Sequence, residues 1–505
     1  MIERQLDGIL EDHIKKMLGI RSHHIPLPLD LVSIACLFLM ADRETAIEGQ
    51  DQNPPSRYNG ETFLDALTDI GIKVNGNSIT KFNALIQNEY LSSDADECYS
   101  AGPASLILTG LLNRMFPKMQ GLFFVSYFIQ TIEEALSGRK NEKQALDQAE
   151  QMILSQGKEL SFDSFSTEEK QLLKKIASQG AKAQKANPNV GELGQTFEQR
   201  TSKRDKLFSV LGIRMNKMGR ILPLPYNVAK LKEVLSLDER SMIKIVDAVM
   251  TDFPLILALL EYINSKHEPK EKTGIVSVSQ ALMALGYDKA KEVMEAIVPC
   301  SDTEEPLLKE ELEKLFHFTL LKSLVARQIA VRLEAEGIEE ICVNVMFYHF
   351  GQILIMNYLP EAYKQIKRLA MSKNVDNASA ARDILGVTYE NIGVKIASDW
   401  RLPFNTIESM RISQQKRIGV SKLTILQTMP CYVNDICLAI GQVEMDEEEG
   451  YNHLNSFSES LNIPRNDLLN MFDMAWAEFE LYFSDHHIYI ARESFLTEII
   501  PAVIQ

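Results

Sequence analysis

Val343-Asn-Val-Met-Phe-Tyr-His-Phe-Gly-Gln-Ile-Leu-Ile-Met356 contains no Asp, Glu, Lys or Arg. A mostly apolar segment of that kind predicts a buried central helix. Working outward, Leu315, Leu320, Leu324 and Ile329 fit a longer helix upstream of it. Ser277 caps a helix through Ala281, Leu282 and Leu285 that Gly286 stops. Pro254 opens a helix with Leu255, Leu259 and Ile263 in its apolar set, and Asp238 is placed to cap one carrying Met242, Ile245, Val246 and Val249. No alternating short strands interrupt this pattern, so residues 219–505 read as all-α.

Upstream, the chain changes character. Residues 1–155 are acidic and mostly helical in pattern, with helices expected over Glu61–Ile70, Ser78–Leu91 and Ala104–Phe116. Ser92–Gly102 suits a short hairpin, and the resulting order is that of a winged-helix module. Residues 156–218 are polar and Lys-rich and read as a basic helical connector. The fold class is therefore mainly α and multi-domain, with the N-terminal helical module carrying at most a small β-wing.

All 505 residues together hold 53 Lys and Arg against 69 Asp and Glu, a net charge of -16. That balance argues against chain-wide nucleic-acid binding, which needs clustered positive charge. In the third helix of the N-terminal module only Lys81 is basic, and Asp94, Asp96 and Glu97 sit on the expected wing. A protein-binding module is the better reading there. The six cysteines form no CxxC pair, which argues against a thiolate zinc site or a disulfide framework. The N-terminus lacks the features of a signal peptide, and neither Leu31–Ala41 nor Met119–Ile132 reaches the length of a bilayer span. The expectation is a cytoplasmic protein that does not use a membrane.

An ordered set of short motifs carries a resemblance. It begins at Leu222-Pro-Leu-Pro225 and continues through Asp252-Phe-Pro254, Asn264-Ser265 and Ile275–Gly286. Phe347-Tyr-His-Phe-Gly351, Leu385-Gly386, Ile392-Gly393 and Trp400-Arg-Leu-Pro403 follow. Over residues 219–415 the chain resembles the HDOD domain, a degenerate relative of the HD and HD-GYP phosphohydrolases of bacterial signalling. Residues 416–505 look like a helical extension packed on that domain. In catalytic HD proteins an adjacent His-Asp pair and further histidines bind divalent metal. Here the resemblance places that pair on Tyr348-His349. It places the upstream ligand at Phe318, the next at Tyr389 and the last near Ser413. Phenylalanine cannot ligate, and tyrosine and serine are poor ligands for a hard metal without carboxylates beside them. The resemblance thus implies a vestigial cleft, with no catalytic residue, no metal and no cofactor.

His349 reads as a buried, hydrogen-bonded histidine ahead of a surviving ligand. His317 reads as packing or surface, and His486-His487 as the end of a helix. Asn264, Gly286, Gly351, Gly393, Trp400 and Pro403 match the family pattern and read as structural. Met471, Met474, Trp476 and Leu481 read as core. There is no GxSxG elbow, P-loop or GxGxxG. The expected function is non-catalytic signal transduction through a protein partner or a small ligand. The alternatives are a metal-dependent cyclic-dinucleotide phosphodiesterase and a DNA-binding transcription regulator.

Overall fold

The computed structural model describes residues 2–19, 27–49, 57–93, 98–136, 140–160, 164–171, 190–237, 241–266, 274–297, 308–415, 425–443 and 447–497. The chain divides into two compact units: Met1–Thr201 with Gln414–Lys422, and Ser202–Ser413 with Leu423–Gln505. Among the described residues no helix is long and apolar enough to cross a membrane.

In the first unit the helix Ile2–Met17 buries Ile2, Leu6, Leu10, Ile14 and Met17, one helical stripe. Next come the helix Leu31–Gly49, strand β1 (Tyr58–Asn59), the helices Gly60–Asp69 and Gly76–Gln87, then β2 (Leu91–Ser93) and β3 (Cys98–Ala101). The sheet order is β1-β3-β2, with both pairs antiparallel: Tyr58 faces Tyr99, and Ser92 faces Ser100. Asn59 and Asn75 each build a reciprocal capping box, with Thr62 and Ser78, so both short helices start at fixed positions. Phe63 stacks on Phe82, which meets Tyr99 edge-on at 5.0 Å, tying the two helices to the sheet.

The helix expected to run through Leu91 stops at Gln87. Glu89 takes a left-handed conformation (φ 59°), and Tyr90 N–H donates back to the Leu85 carbonyl, which frees Leu91 to enter β2. The lone cation of that helix is already engaged. Lys81 Nζ lies 2.8 Å from Asp30 and 3.1 Å from Asp7, and Asp7 also accepts the Leu31 N–H. The expected wing acids lie outside the described residues.

The second unit is all-helical among its described residues. The helix Lys309–Arg332 buries side chains nearly all round, so it runs through the middle of the core. The long helix Val190–Met218 contributes Leu207 and Leu211 to the same core. Ser277 caps Val278–Leu285 and Gly286 ends it at φ 72°. Met242–Met250 is capped by Ser241, which accepts the Lys244 N–H; Asp238 lies outside the described residues.

Val343–Met356 is buried but not one helix. It is divided between Ile338–Phe347 and Phe350–Tyr358, with a turn at Tyr348-His349. His349 (φ −99°, ψ 15°) caps the second piece, and its carbonyl accepts the Ile353 N–H. Apolar periodicity cannot show a one-residue departure from helical geometry, because both halves remain apolar on every face.

Candidate vestigial site

The turn at Tyr348-His349 aims two polar side chains at Lys322, on the central helix. Lys322 is fully buried, and its Nζ donates to Asn434 Oδ1 at 3.2 Å. His349 Nε2 lies 3.1 Å from the same oxygen, which requires the Nε2–H tautomer. The ammonium also sits 4.8 Å from the centre of the Phe318 ring and 5.1 Å from that of Tyr348. These rings offer a negative π-face where a carboxylate would otherwise be expected.

Asn434 comes from the helix Ile425–Val443, in the C-terminal part of the chain, which places Cys431 and Cys437 in the same buried layer. Burial lowers the Lys322 ammonium to about 7, opposed by the neighbouring Cys437 and Cys431 thiols. Burial, and then the Lys322 charge, hold His349 well below the ordinary imidazole range; bonds to Asn434 and Gln352 oppose them. Tyr348 is pushed well above the phenol range by burial and by its Cys431 neighbour.

Of the residues singled out from sequence, Phe318, Tyr348 and His349 therefore meet around one amine. Tyr389 stands at the start of the helix Tyr389–Asp399, with a buried hydroxyl that has no hydrogen-bond partner among the described residues. Ser413 lies in the last turn of Phe404–Gln415, and its side chain is outside the described residues. His317 bonds the Tyr226 hydroxyl at 2.7 Å and is lowered to about 4 by burial. His486 caps the end of the helix Arg465–Asp485, and His23-His24 lie outside the described residues.

Lys322 and Asn434 were missed. The signal for Lys322 was a single charge inside Leu320-Leu-Lys-Ser-Leu-Val325, four residues after Phe318 and so on its face of the helix. Asn434 has a fainter signal, one amide amid the apolar residues of a distant helix.

The residues at the family-pattern positions hold this arrangement in place. Asn264 is buried and ties Ile275 in both directions, donating to its carbonyl and accepting its N–H, each at 2.7 Å. Asp252 accepts from Leu224 N–H, Leu255 N–H and Asn227 Nδ2, and burial raises it to about 6. Asn227 in turn accepts the Tyr482 hydroxyl from the last long helix. Trp400 packs on Phe350 at 5.4 Å. Gly351 and Gly393 let the helices Phe350–Tyr358 and Tyr389–Asp399 touch backbone to backbone.

A divalent metal of the HD type does not fit these donors. The cluster offers one imidazole, an amide, aromatic rings and a lysine whose charged form would repel a cation. Among the described residues, no three of His, Cys, Asp and Glu are grouped to hold a metal ion.

Comparison with known proteins places this region in a family. The family model of the HDOD domain matches residues 221–416. No curated protein matches the chain. Several solved structures are similar. The MmoQ response regulator of Methylococcus capsulatus str. Bath has 14% identity and a TM-score of 0.38, over 50% of this chain and 98% of that one. A virulence factor from Campylobacter jejuni subsp. jejuni has 15% identity and a TM-score of 0.41, over 54% and 96%. An HDOD domain protein with unknown function from Geobacter sulfurreducens has 13% identity and a TM-score of 0.30, over 55% and 96%. Residues 221–416 of this chain are therefore an HDOD domain.

Proposed function

We propose that this chain is a non-catalytic regulator in signal transduction, whose degenerate HD-type domain recognises a protein partner or a small ligand without turning it over. The HDOD domain at residues 221–416 supports the signalling role. The observation that carries the non-catalytic part is Lys322: a buried amine beside His349, sharing the Asn434 Oδ1 oxygen with it, stands where a metal-binding cluster would have to assemble. Phosphoryl chemistry of the HD type needs a Lewis acid that polarises phosphate and activates water, and these side chains cannot seat one. The site also lies beneath the helix Ile425–Val443, so recognition is assigned to the helical surface around it rather than to an open catalytic cleft.

The test is elemental analysis of the full chain after exchange into manganese and magnesium, with a cyclic-dinucleotide turnover assay. The expected result is substoichiometric metal and no turnover above a metal-only blank. One tightly held ion per chain, lost together with activity in His349→Ala, would overturn the reading.

In this proposal the first unit is a winged-helix-like module that binds a protein. Its strand order supports the winged-helix reading, and the engagement of Lys81 by Asp30 and Asp7 supports a partner other than DNA. The exposed positions of Gly76–Gln87 include Asn77, Thr80 and Gln87, which are uncharged. Such a face lacks the cations that hold phosphates. In a gel shift with the full chain and random duplex DNA, no retarded species should appear at low salt. Retardation with a steep salt slope, abolished by Lys81→Gln, would favour the DNA reading instead.

A further inference from the structure

Two helix segments of the second unit, the part of Val190–Met218 from Ser202 onward and Arg465–Asp485, carry complementary stripes that are exposed among the described residues. On Val190–Met218, one arc of about 100° holds Lys203, Lys206, Ile213, Arg214 and Lys217, all exposed. Ile213, at one edge of that arc, is 64% exposed. Between Lys203 and Arg220 there are six basic residues and one acid, Asp205, which lies on the far side and pairs with Arg204. Lys203 donates to the Asp383 carbonyl, whereas Lys206, Arg214 and Lys217 form no ion pair among the described residues. In a chain of net charge -16 this is a locally cationic strip.

The other stripe lies on Arg465–Asp485. Met471, Phe472, Trp476 and Phe479 are buried there as the sequence predicts. Met474 and Leu481, expected in the core, are instead 59% and 64% exposed. They stand seven residues apart on one face with exposed Ala477 between them. Acids flank this apolar line on both sides: Asp473 and Glu480 on one, Glu478 and Asp485 on the other. Asp473 and Glu478 are engaged by Arg492 and Arg327, while Glu480 and Asp485 form no ion pair among the described residues.

The geometry points to a second copy of this chain as the occupant of each stripe: Arg465–Asp485 of one copy docks antiparallel on the C-terminal half of Val190–Met218 of another. Spacing selects the direction. Lys206 and Lys217 are eleven residues apart, and Asp473 and Asp485 are twelve. With Ile213 set between Met474 and Leu481, an antiparallel pairing brings Lys206 level with the unpaired Asp485, and Lys217 level with Asp473, where it would compete with Arg492. A parallel pairing puts Lys206 opposite the uncharged Asn470. Burying three exposed apolar side chains supplies the attraction, and the charges supply the register.

Sedimentation of the full chain at about 0.05 M and about 0.5 M ionic strength tests this, because surface ion pairs are screened over that range. The expected result is self-association at low salt that declines at high salt. Lys206→Glu and Asp485→Lys should each reduce the associated fraction at least several-fold, with melting curves unchanged. The double variant carrying both should recover it, because the pair is restored with its signs exchanged. Ile213→Ser supplies a charge-neutral check and should also weaken association. A chain that stays monomeric at low salt overturns the proposal. So does an assembly indifferent to these substitutions, or a double variant no better than either single one.

Discussion

Replacing Asn434 with leucine should lower the unfolding free energy by about 3 kcal/mol near pH 7, the scale on which a buried charge that loses its partner is destabilising. Asn434 Oδ1 is the acceptor for both the Lys322 ammonium and the His349 imidazole. Leucine has a similar volume, so the loss reports polar satisfaction rather than a cavity. Lys322→Met should be close to neutral or stabilising, because methionine fits between the Phe318 and Tyr348 rings without a charge to solvate. Combining the two should recover most of the loss, leaving about 1 kcal/mol for the unsatisfied His349. Urea denaturation of the four proteins gives the coupling directly. Additive effects would mean that the amine and the amide do not act together.

The same amine sets a pH signature. Lys322 falls from an ordinary value of 10.5 to about 7 in the folded chain. Between about 7 and 10.5 the unfolded chain therefore holds a proton that the folded chain has released. Stability rises with pH across that window, and below it the Lys322 contribution is flat. His349 is also held below its ordinary value, so it withdraws stability as pH falls below 6.5. In Lys322→Met the rise above pH 7 should shrink, while the acid limb persists. In Asn434→Leu the destabilisation should be smaller at pH 9 than at pH 6, since the neutral amine needs its acceptor less. A wild-type curve that is flat from pH 7 to 10 in melting temperature would contradict a depressed lysine.

The contrast between what could and could not be read from sequence follows from the range of the forces. Ser277 and Gly286 act within one turn, so a helix bounded by them was readable. The capping boxes at Asn59 and Asn75 are equally local. The apolar residues Leu315, Leu320 and Ile329 recur at helical spacing, and so that helix too was visible, although it is buried nearly all round. Tyr348 and His349 were identified because the ordered family motifs place them, although the turn between their two helices was not foreseen. The partnership of Lys322 with Asn434 spans 112 residues and links two elements by one hydrogen bond. No local pattern encodes such a contact, and only the isolated charge on an apolar face hinted at it. Met474 and Leu481 show the reverse case. Their spacing reads as core, yet the helix already fills its buried side with Phe472, Trp476 and Phe479, leaving them outward.

Among the described glycines, Gly351→Ala should be the most damaging alanine substitution. A Cβ at Gly351 would lie 1.7 Å from the Tyr389 carbonyl oxygen and 2.8 Å from the Gly393 nitrogen, both rigid backbone atoms. No rotamer relieves such an overlap, so the helices Phe350–Tyr358 and Tyr389–Asp399 must separate. Overpacking of this kind costs about 3 kcal/mol or more. Gly393→Ala meets the Gly351 nitrogen at 3.1 Å and should cost about 1 kcal/mol, because a small shift suffices. Gly212, in a helix with nothing within 4 Å of an added Cβ, should instead be stabilised by alanine, by about 0.5–1 kcal/mol. The order of the three in urea melts checks the backbone contact independently of any assay for function. The loss at Gly351 should also reach the polar cluster. His349 caps the helix in which Gly351 is the second residue, so moving that helix carries the imidazole away from Asn434. The coupling between Lys322 and Asn434, which rests on the oxygen they share with His349, should then weaken in the Gly351→Ala background. If Gly351→Ala costs less than Gly393→Ala, or leaves that coupling intact, the close helix crossing does not position the cluster.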